Sequence, residues 1–315
     1  HYQKKIFSFL LQFFYKISIM IKLDGLYPPL PTSFDSHEQL DTGKMKTNIE
    51  ALSRYDLAGF LVLGSNGELV NLTDEERVRV YRDTRKAISS DKLMLAGTGC
   101  QSTRPTIALT QQAAEAGADA ALVLNPSYYK GLMTPAALKA HYFAVADASP
   151  IPVIIYNMPA NSGMDMDAAT ITAIAAHENI IGLKDSGGNL TKMGLIRKQA
   201  GKDFQILAGS AGFLLPALSV GATGGILALA NIAPEHCLRV YHSFIDGDME
   251  AAREHQINII ELNTAVTRKW GVPALKAAMD QVGLYGGPSR KPLLPADESV
   301  TQQLAALLKE NNVQF

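Results

Sequence analysis

Cysteine is scarce: the 315-residue chain has only Cys100 and Cys237. Two thiols cannot build a disulfide framework or a Cys-rich zinc site. None of the seven histidines stands in a His-x-x-x-His or His-x-His spacing, the patterns that place two imidazoles on one metal. No metal is therefore expected. A surplus of one charge is also missing, with 29 Lys+Arg against 30 Asp+Glu. No basic stripe is interleaved with aromatics, so neither nucleic acid nor another polyanion is expected as a partner. The first strand-like run leads into "GLYPPLPTSFD", which lacks the glycines of a dinucleotide-binding turn and weighs against a doubly wound sheet. Long apolar runs are few. "IFSFLLQFFYKISIMI" is broken by Lys16 and falls short of the roughly 20 residues of a spanning helix, so no membrane partner is expected. Residues 1–22 are set apart from the fold as an extension of unknown role: a targeting segment, an amphipathic helix on the barrel bottom, or a gene-model artefact. A mitochondrial presequence would normally carry arginine, which this stretch lacks. The expected compartment is the cytoplasm, with the mitochondrion as the alternative.

What the chain does contain is a repeated alternation. Eight nearly continuous apolar runs recur: Gly25–Leu30, Gly59–Gly64, Leu93–Gly97, Ala120–Asn125, Val153–Asn157, Ile180–Lys184, Gln205–Gly209 and Gly225–Ala230. Such runs suit parallel strands covered outside by helices. Segments of helical period lie between them. Thr73 with Glu76 reads as a capping box, and Gly117 as a helix stop. Eight βα units predict an α/β fold, a (β/α)8 TIM barrel over residues 23–250. Residues 251–315 read as a small C-terminal helical segment.

In such a barrel, chemistry gathers at the C-terminal ends of the strands. Those ends read "GSNGE", "NPSYYKG", "YNMPANSG", "KDSGG" and "GSAG". One nucleophile stands out, Lys184. A free lysine titrates near 10.4, but an apolar barrel interior disfavours the ammonium, and a neutral amine can attack a ketone to form a Schiff base. A strand-end lysine can equally snorkel to the barrel mouth or pair with Asp185. Tyr156 closes the preceding strand, where a phenol can shuttle protons or simply cap the core. Ser65 and Asn66 sit in a glycine-flanked turn ahead of a helix, suited to a carboxylate or needing glycine only for its backbone. The small residues of "GSAG" and "GATGG" suit close packing or a phosphate.

These motifs, together with "PPLPTSF" at Pro28–Phe34, resemble the dihydrodipicolinate synthase / N-acetylneuraminate lyase superfamily of class I aldolases. The likeness runs from about Gly25 to Pro292 in consistent order. The resemblance implies that Lys184 forms a Schiff base, so no separate cofactor is needed, and that Tyr156 relays protons with Ser65. It implies that Gly64, Ser65 and Asn66 hold the carboxylate of a small 2-oxo acid, and that Asn161, Ser186, Gly209 and Ser210 line the substrate pocket. Tyr128 would enter the active site of a neighbouring subunit, giving a homodimer or homotetramer. Synthases making dihydrodipicolinate carry an arginine where this chain has Asn161, and Asn cannot reproduce a bidentate guanidinium clamp on a carboxylate. The wording is most similar to 4-hydroxy-2-oxoglutarate aldolases, which release pyruvate and glyoxylate. It also resembles fungal 3-deoxy-hexulosonate aldolases.

Overall fold

The computed structural model describes residues 21–313. The expected extension at 1–22 lies almost wholly outside the described residues. Eight parallel strands form one sheet: β1 Gly25–Tyr27, β2 Gly59–Val62, β3 Leu93–Gly97, β4 Ala120–Leu124, β5 Val153–Asn157, β6 Ile180–Asp185, β7 Gln205–Ala208 and β8 Gly224–Ile226. Neighbours follow chain order from β2 to β8, and β8 returns to pair with β1. The ring closes where β1 meets β2: Ala58 N–H donates to Leu26 O at 3.1 Å, Leu61 N–H to Pro28 O at 3.0 Å and Leu30 N–H to Leu61 O at 2.9 Å. This is the (β/α)8 barrel expected from the alternation.

Two strands, β1 and β8, are half the length of their apolar runs. Pro28 and Pro29 follow β1, and prolines have no N–H to continue a ladder, so pairing there thins to one isolated bridge, Pro29 with Leu61. After β8 the chain coils into a 3-10 turn at Ala228–Asn231. Apolar character alone does not distinguish a buried turn from a strand.

Among the described residues, eight helices cover the barrel: α1 Thr42–Leu52, α2 Asp74–Ala87, α3 Thr103–Glu115, α4 Pro135–Ala148, α5 Ala168–Ala175, α6 Leu190–Ala200, α7 Leu214–Ser219 and α8 Pro234–Ile245. The Thr73–Glu76 capping box opens α2 with both of its reciprocal bonds. Gly117, at φ 93°, follows α3 as the expected stop. Tyrosines bolt helices to strand ends: Tyr81 of α2 donates to Gly97 O, and Tyr142 of α4 donates to Val123 O at 2.9 Å. Beyond α8 come α9 Met249–Asn258, α10 Ile260–Thr264, α11 Gly271–Gln281 and α12 Glu298–Glu310, with a π-helical turn at Ala265–Lys269 before α11. Among the described residues, no helix is long and apolar enough to cross a membrane.

Successive strand residues face opposite ways, so the core has two layers. One cluster fills the barrel interior and includes Leu23, Tyr27, Leu61, Leu95, Leu122, Ile154, Tyr156, Leu207 and Ile226. Leu23 closes one end, held there by its N–H donating to Gln205 Oε1 at 2.6 Å. The larger cluster fills the space between strands and helices, with Val123, Ile155, Leu183 and Ile206 among its strand residues.

Candidate active site

The two-residue period decides which way Lys184 points. Tyr156 on β5 and Lys184 on β6 are register partners, and Lys184 is in turn opposite Leu207 on β7. Tyr156 and Leu207 belong to the interior layer, so Lys184 also faces inward. It is 4% exposed, and its Nζ lies 4.2 Å from the centroid of the Tyr156 ring. A ring face offers a cation partial electrostatic relief. Among the described residues no carboxylate pairs with Lys184.

Asp185, the next residue, faces outward and is occupied elsewhere. Its carboxylate lies 3.0 Å from Lys192 Nζ and accepts from Asn157 Nδ2 at 2.9 Å. It also accepts from the N–H groups of Gly187 and Gly188 at 2.8 and 3.2 Å. Asp165 joins the same network through Asn157 and Lys192. The pairing of Lys184 with Asp185 that adjacency in sequence allowed is therefore absent. The aspartate fixes the loop after β6, and the amine is left without a counter-ion.

Tyr156 is shaped by opposing influences. Burial raises the pKa of its phenol, but the Lys184 charge and hydrogen bonds from Ser65, Ser186 and Lys184 together outweigh it, so the net shift is downward. Ser65 Oγ stands 3.4 Å from the phenol oxygen.

Ser65 and Asn66 occupy a 3-10 turn, Ser65–Gly67, just past β2. The turn is set between two left-handed residues, Leu63 at φ 56° and Glu68 at φ 53°, a region that non-glycine residues seldom occupy. Its own backbone bonds run from Gly67 N–H to Gly64 O and from Glu68 N–H to Ser65 O, at 3.0 and 3.1 Å. Among the described residues, no hydrogen bond takes up the Ser65 and Asn66 amides. Glu68 anchors the turn from behind. Its carboxylate meets Lys276 Nζ of α11 at 2.7 Å, both side chains being 1% exposed, and accepts from Arg290 N–H at 2.9 Å.

A cavity of about 550 Å³ brings these groups together. It is lined by Ser65, Asn66, Tyr156, Asn161, Lys184, Ser186, Gly209 and Ser210. Asn161 reaches it from a helical turn, Pro159–Ser162. Gly209 permits a close approach: a Cβ there would stand 2.0 Å from Ser186 Oγ and 2.7 Å from Asp185 O. Ser210 Oγ accepts from Asn263 Nδ2 at 3.0 Å. Gly64 is not a lining residue; it opens the Ser65–Gly67 turn as its N-cap. Tyr128 is not in this cavity either. It is 78% exposed and packs edge-to-face on Tyr129, with centroids 5.0 Å apart. Strand-end motifs alone miss another part of the lining, made of Val266, Thr267, Arg268, Gly271 and Val272. Those residues follow α10, far beyond the last strand, and only the basic run "TRKWG" hints at them. Among the described residues, no cluster of three or more His, Cys, Asp or Glu side chains is placed to hold a metal.

A buried amine, a phenol of lowered pKa and a hydroxyl-lined pocket agree with what similarity to known proteins indicates. The family model for the dihydrodipicolinate synthetase family matches residues 22–311. The chain belongs to that family. Its members are pyruvate-dependent aldolases and lyases, and this chain is an enzyme of that class. An Emericella nidulans protein named "Probable 4-hydroxy-2-oxoglutarate aldolase, mitochondrial" is 41% identical over 292 residues, covering 91% of this chain and 93% of the relative. A 4-hydroxy-tetrahydrodipicolinate synthase of Methanococcoides burtonii is 34% identical, covering 91% of this chain and 98% of the synthase. Within the family, YagE, a prophage protein of E. coli K12 solved in complex with pyruvate, superposes with a TM-score of 0.87 at 30% identity over 93% of this chain and all of YagE.

Proposed function

We propose that this enzyme is a Schiff-base aldolase that cleaves a 4-hydroxy-2-oxo acid, such as 4-hydroxy-2-oxoglutarate, to pyruvate and an aldehyde, here glyoxylate. The observation that carries this reading is Lys184, buried inside the barrel, without a carboxylate partner among the described residues, and 4.2 Å from the Tyr156 ring. The substrate's C1 carboxylate sits on the Ser65–Asn66 turn, which presents C2 to Lys184. The amine adds to C2, and Tyr156 passes protons as the carbinolamine loses water to become an iminium. Tyr156, hydrogen-bonded to Ser65, then takes the proton of the C4 hydroxyl. The C3–C4 bond breaks, its electron pair moves toward the iminium to give an enamine, and the aldehyde leaves. The enamine is protonated at C3, and water releases pyruvate and restores the amine. Lys184 itself supplies the electron sink, so the reaction needs no separate cofactor.

The name of the Emericella relative supports this substrate. Relatives named as synthases favour a second reading, condensation of pyruvate with aspartate semialdehyde; the neutral Asn161 at the cavity wall counts against it. Cleavage of 3-deoxy-hexulosonates uses the same chemistry on a longer chain. The exposed Tyr128–Tyr129–Leu132 surface supports assembly into at least a dimer, with Tyr128 reaching the partner's site. Borohydride reduction in the presence of pyruvate is expected to add one pyruvyl unit at Lys184, and Lys184→Arg to abolish it. A pyruvate-release assay across 4-hydroxy-2-oxoglutarate and 3-deoxy-2-oxo sugar acids, with a coupled synthase assay beside it, separates the readings. An unmodified Lys184 would overturn the aldolase proposal.

A further inference from the structure

The charges around the cavity are unevenly used. Among the described residues, two of its lining side chains carry charge, Lys184 and Arg268, and no Asp or Glu lines it. On the proposed reading, Lys184 is spent on C2 and the near carboxylate rests on the Ser65–Asn66 turn. Arg268 then remains in the lining with no task. It makes no ion pair or hydrogen bond with any described residue. Lys269, its neighbour, is directed away, with Nζ over the Trp270 ring at 3.9 Å and 3.5 Å from Gln303 Oε1.

The backbone that carries Arg268 is unusual. Trp270 N–H donates to Ala265 O at 3.2 Å, an i→i+5 bond of the π-helical turn Ala265–Lys269. Such turns are rare and concentrate at functional sites. This one lets Val266, Thr267 and Arg268 all line the cavity. It is tied to the strand ends: Thr267 Oγ1 donates to Asn263 O at 2.5 Å, and Asn263 Nδ2 donates to Ser210 Oγ at 3.0 Å.

We infer that Arg268 receives a second, distal carboxylate of the substrate, so that the site selects dianionic 4-hydroxy-2-oxo acids over those ending in an apolar or hydroxylated group. The inference rests on the aldolase reading and deepens it. A guanidinium can hold a carboxylate by two parallel hydrogen bonds, the capacity that Asn161 lacks. Because Arg268 is exposed, its attraction is screened by water and salt. A discrimination of about tenfold is therefore expected, weakening as salt rises.

The test pairs 4-hydroxy-2-oxoglutarate with 4-hydroxy-2-oxopentanoate, which differ only by a carboxylate or a methyl beyond C4. In Arg268→Gln the ratio of their kcat/KM values is expected to fall about tenfold, and Arg268→Lys to recover part of it. The same change is expected when 2-oxoglutarate and 2-oxopentanoate compete with pyruvate for borohydride trapping at Lys184, a readout that needs no turnover. An unchanged ratio in both assays overturns the role of Arg268 while leaving the aldolase reading intact. Failure of wild-type enzyme to trap pyruvate at all overturns both.

Discussion

At the scale of single residues, the site turns on two side chains that share one register position. Tyr156 has a pKa below that of ordinary tyrosine, because the Lys184 charge and three hydrogen bonds outweigh burial. A lowered phenol reaches its basic form at lower pH, so the rising limb of kcat/KM against pH is expected below the usual value of about 10. Tyr156→Phe should lose that limb and about 10²–10⁴-fold in kcat; pH profiles of both proteins check this, and a limb that persists in the Phe variant belongs to another group. Lys184 was legible because it breaks an apolar run, and a charge inside a barrel strand demands an explanation. Arg268 was not legible. It lies far beyond the last strand, where only a short basic run hints that the chain returns to the mouth of the barrel.

At the scale of elements, adjacency in sequence misleads wherever the strand alternates. Lys184 and Asp185 are neighbours that face opposite sides of β6, and they serve different ends. Asp185→Asn removes the buried charge opposing Lys192 and is expected to destabilise the fold by about 3–5 kcal/mol, while pyruvate trapping at Lys184 persists below the lowered Tm. Thermal melts with and without trapping check this. Trapping lost without any drop in Tm would tie Asp185 to the chemistry instead. The strands themselves were readable from their apolar runs and the turn residues after them. Their ends were not, because Pro28–Pro29 and the buried residues Ala228, Leu229 and Ala230 are as apolar as the strands they follow.

At the scale of the whole molecule, the residues after the barrel are part of its working end. Arg290 holds Glu76 of α2 through two contacts at 2.6 and 2.8 Å. These guanidinium bonds, ahead of opposing burial and helped by the Thr73 N–H, keep the Glu76 carboxyl below its ordinary pKa. A carboxyl lowered in this way stabilises the fold above the unfolded-state value of about 4.3 and stops doing so as pH falls through the folded-state value. Glu76→Gln keeps the capping geometry but loses the charge. It is expected to cost about 1–2 kcal/mol at neutral pH, a gap that closes below about pH 4. Urea melts at both pH values check it. A constant gap would place the loss in the cap and not in the ion pair.

The Glu68–Lys276 pair has a consequence for how the enzyme comes into being. All eight strands are complete by Ile226, yet the carboxylate behind the Ser65–Asn66 turn waits for a lysine fifty residues further along. A nascent chain halted just after the barrel would already own its reactive amine but would lack the brace that sets its acid-gripping turn. Competence therefore arrives with the last helices to emerge, and a shortened product is expected to be catalytically silent before it is visibly unfolded.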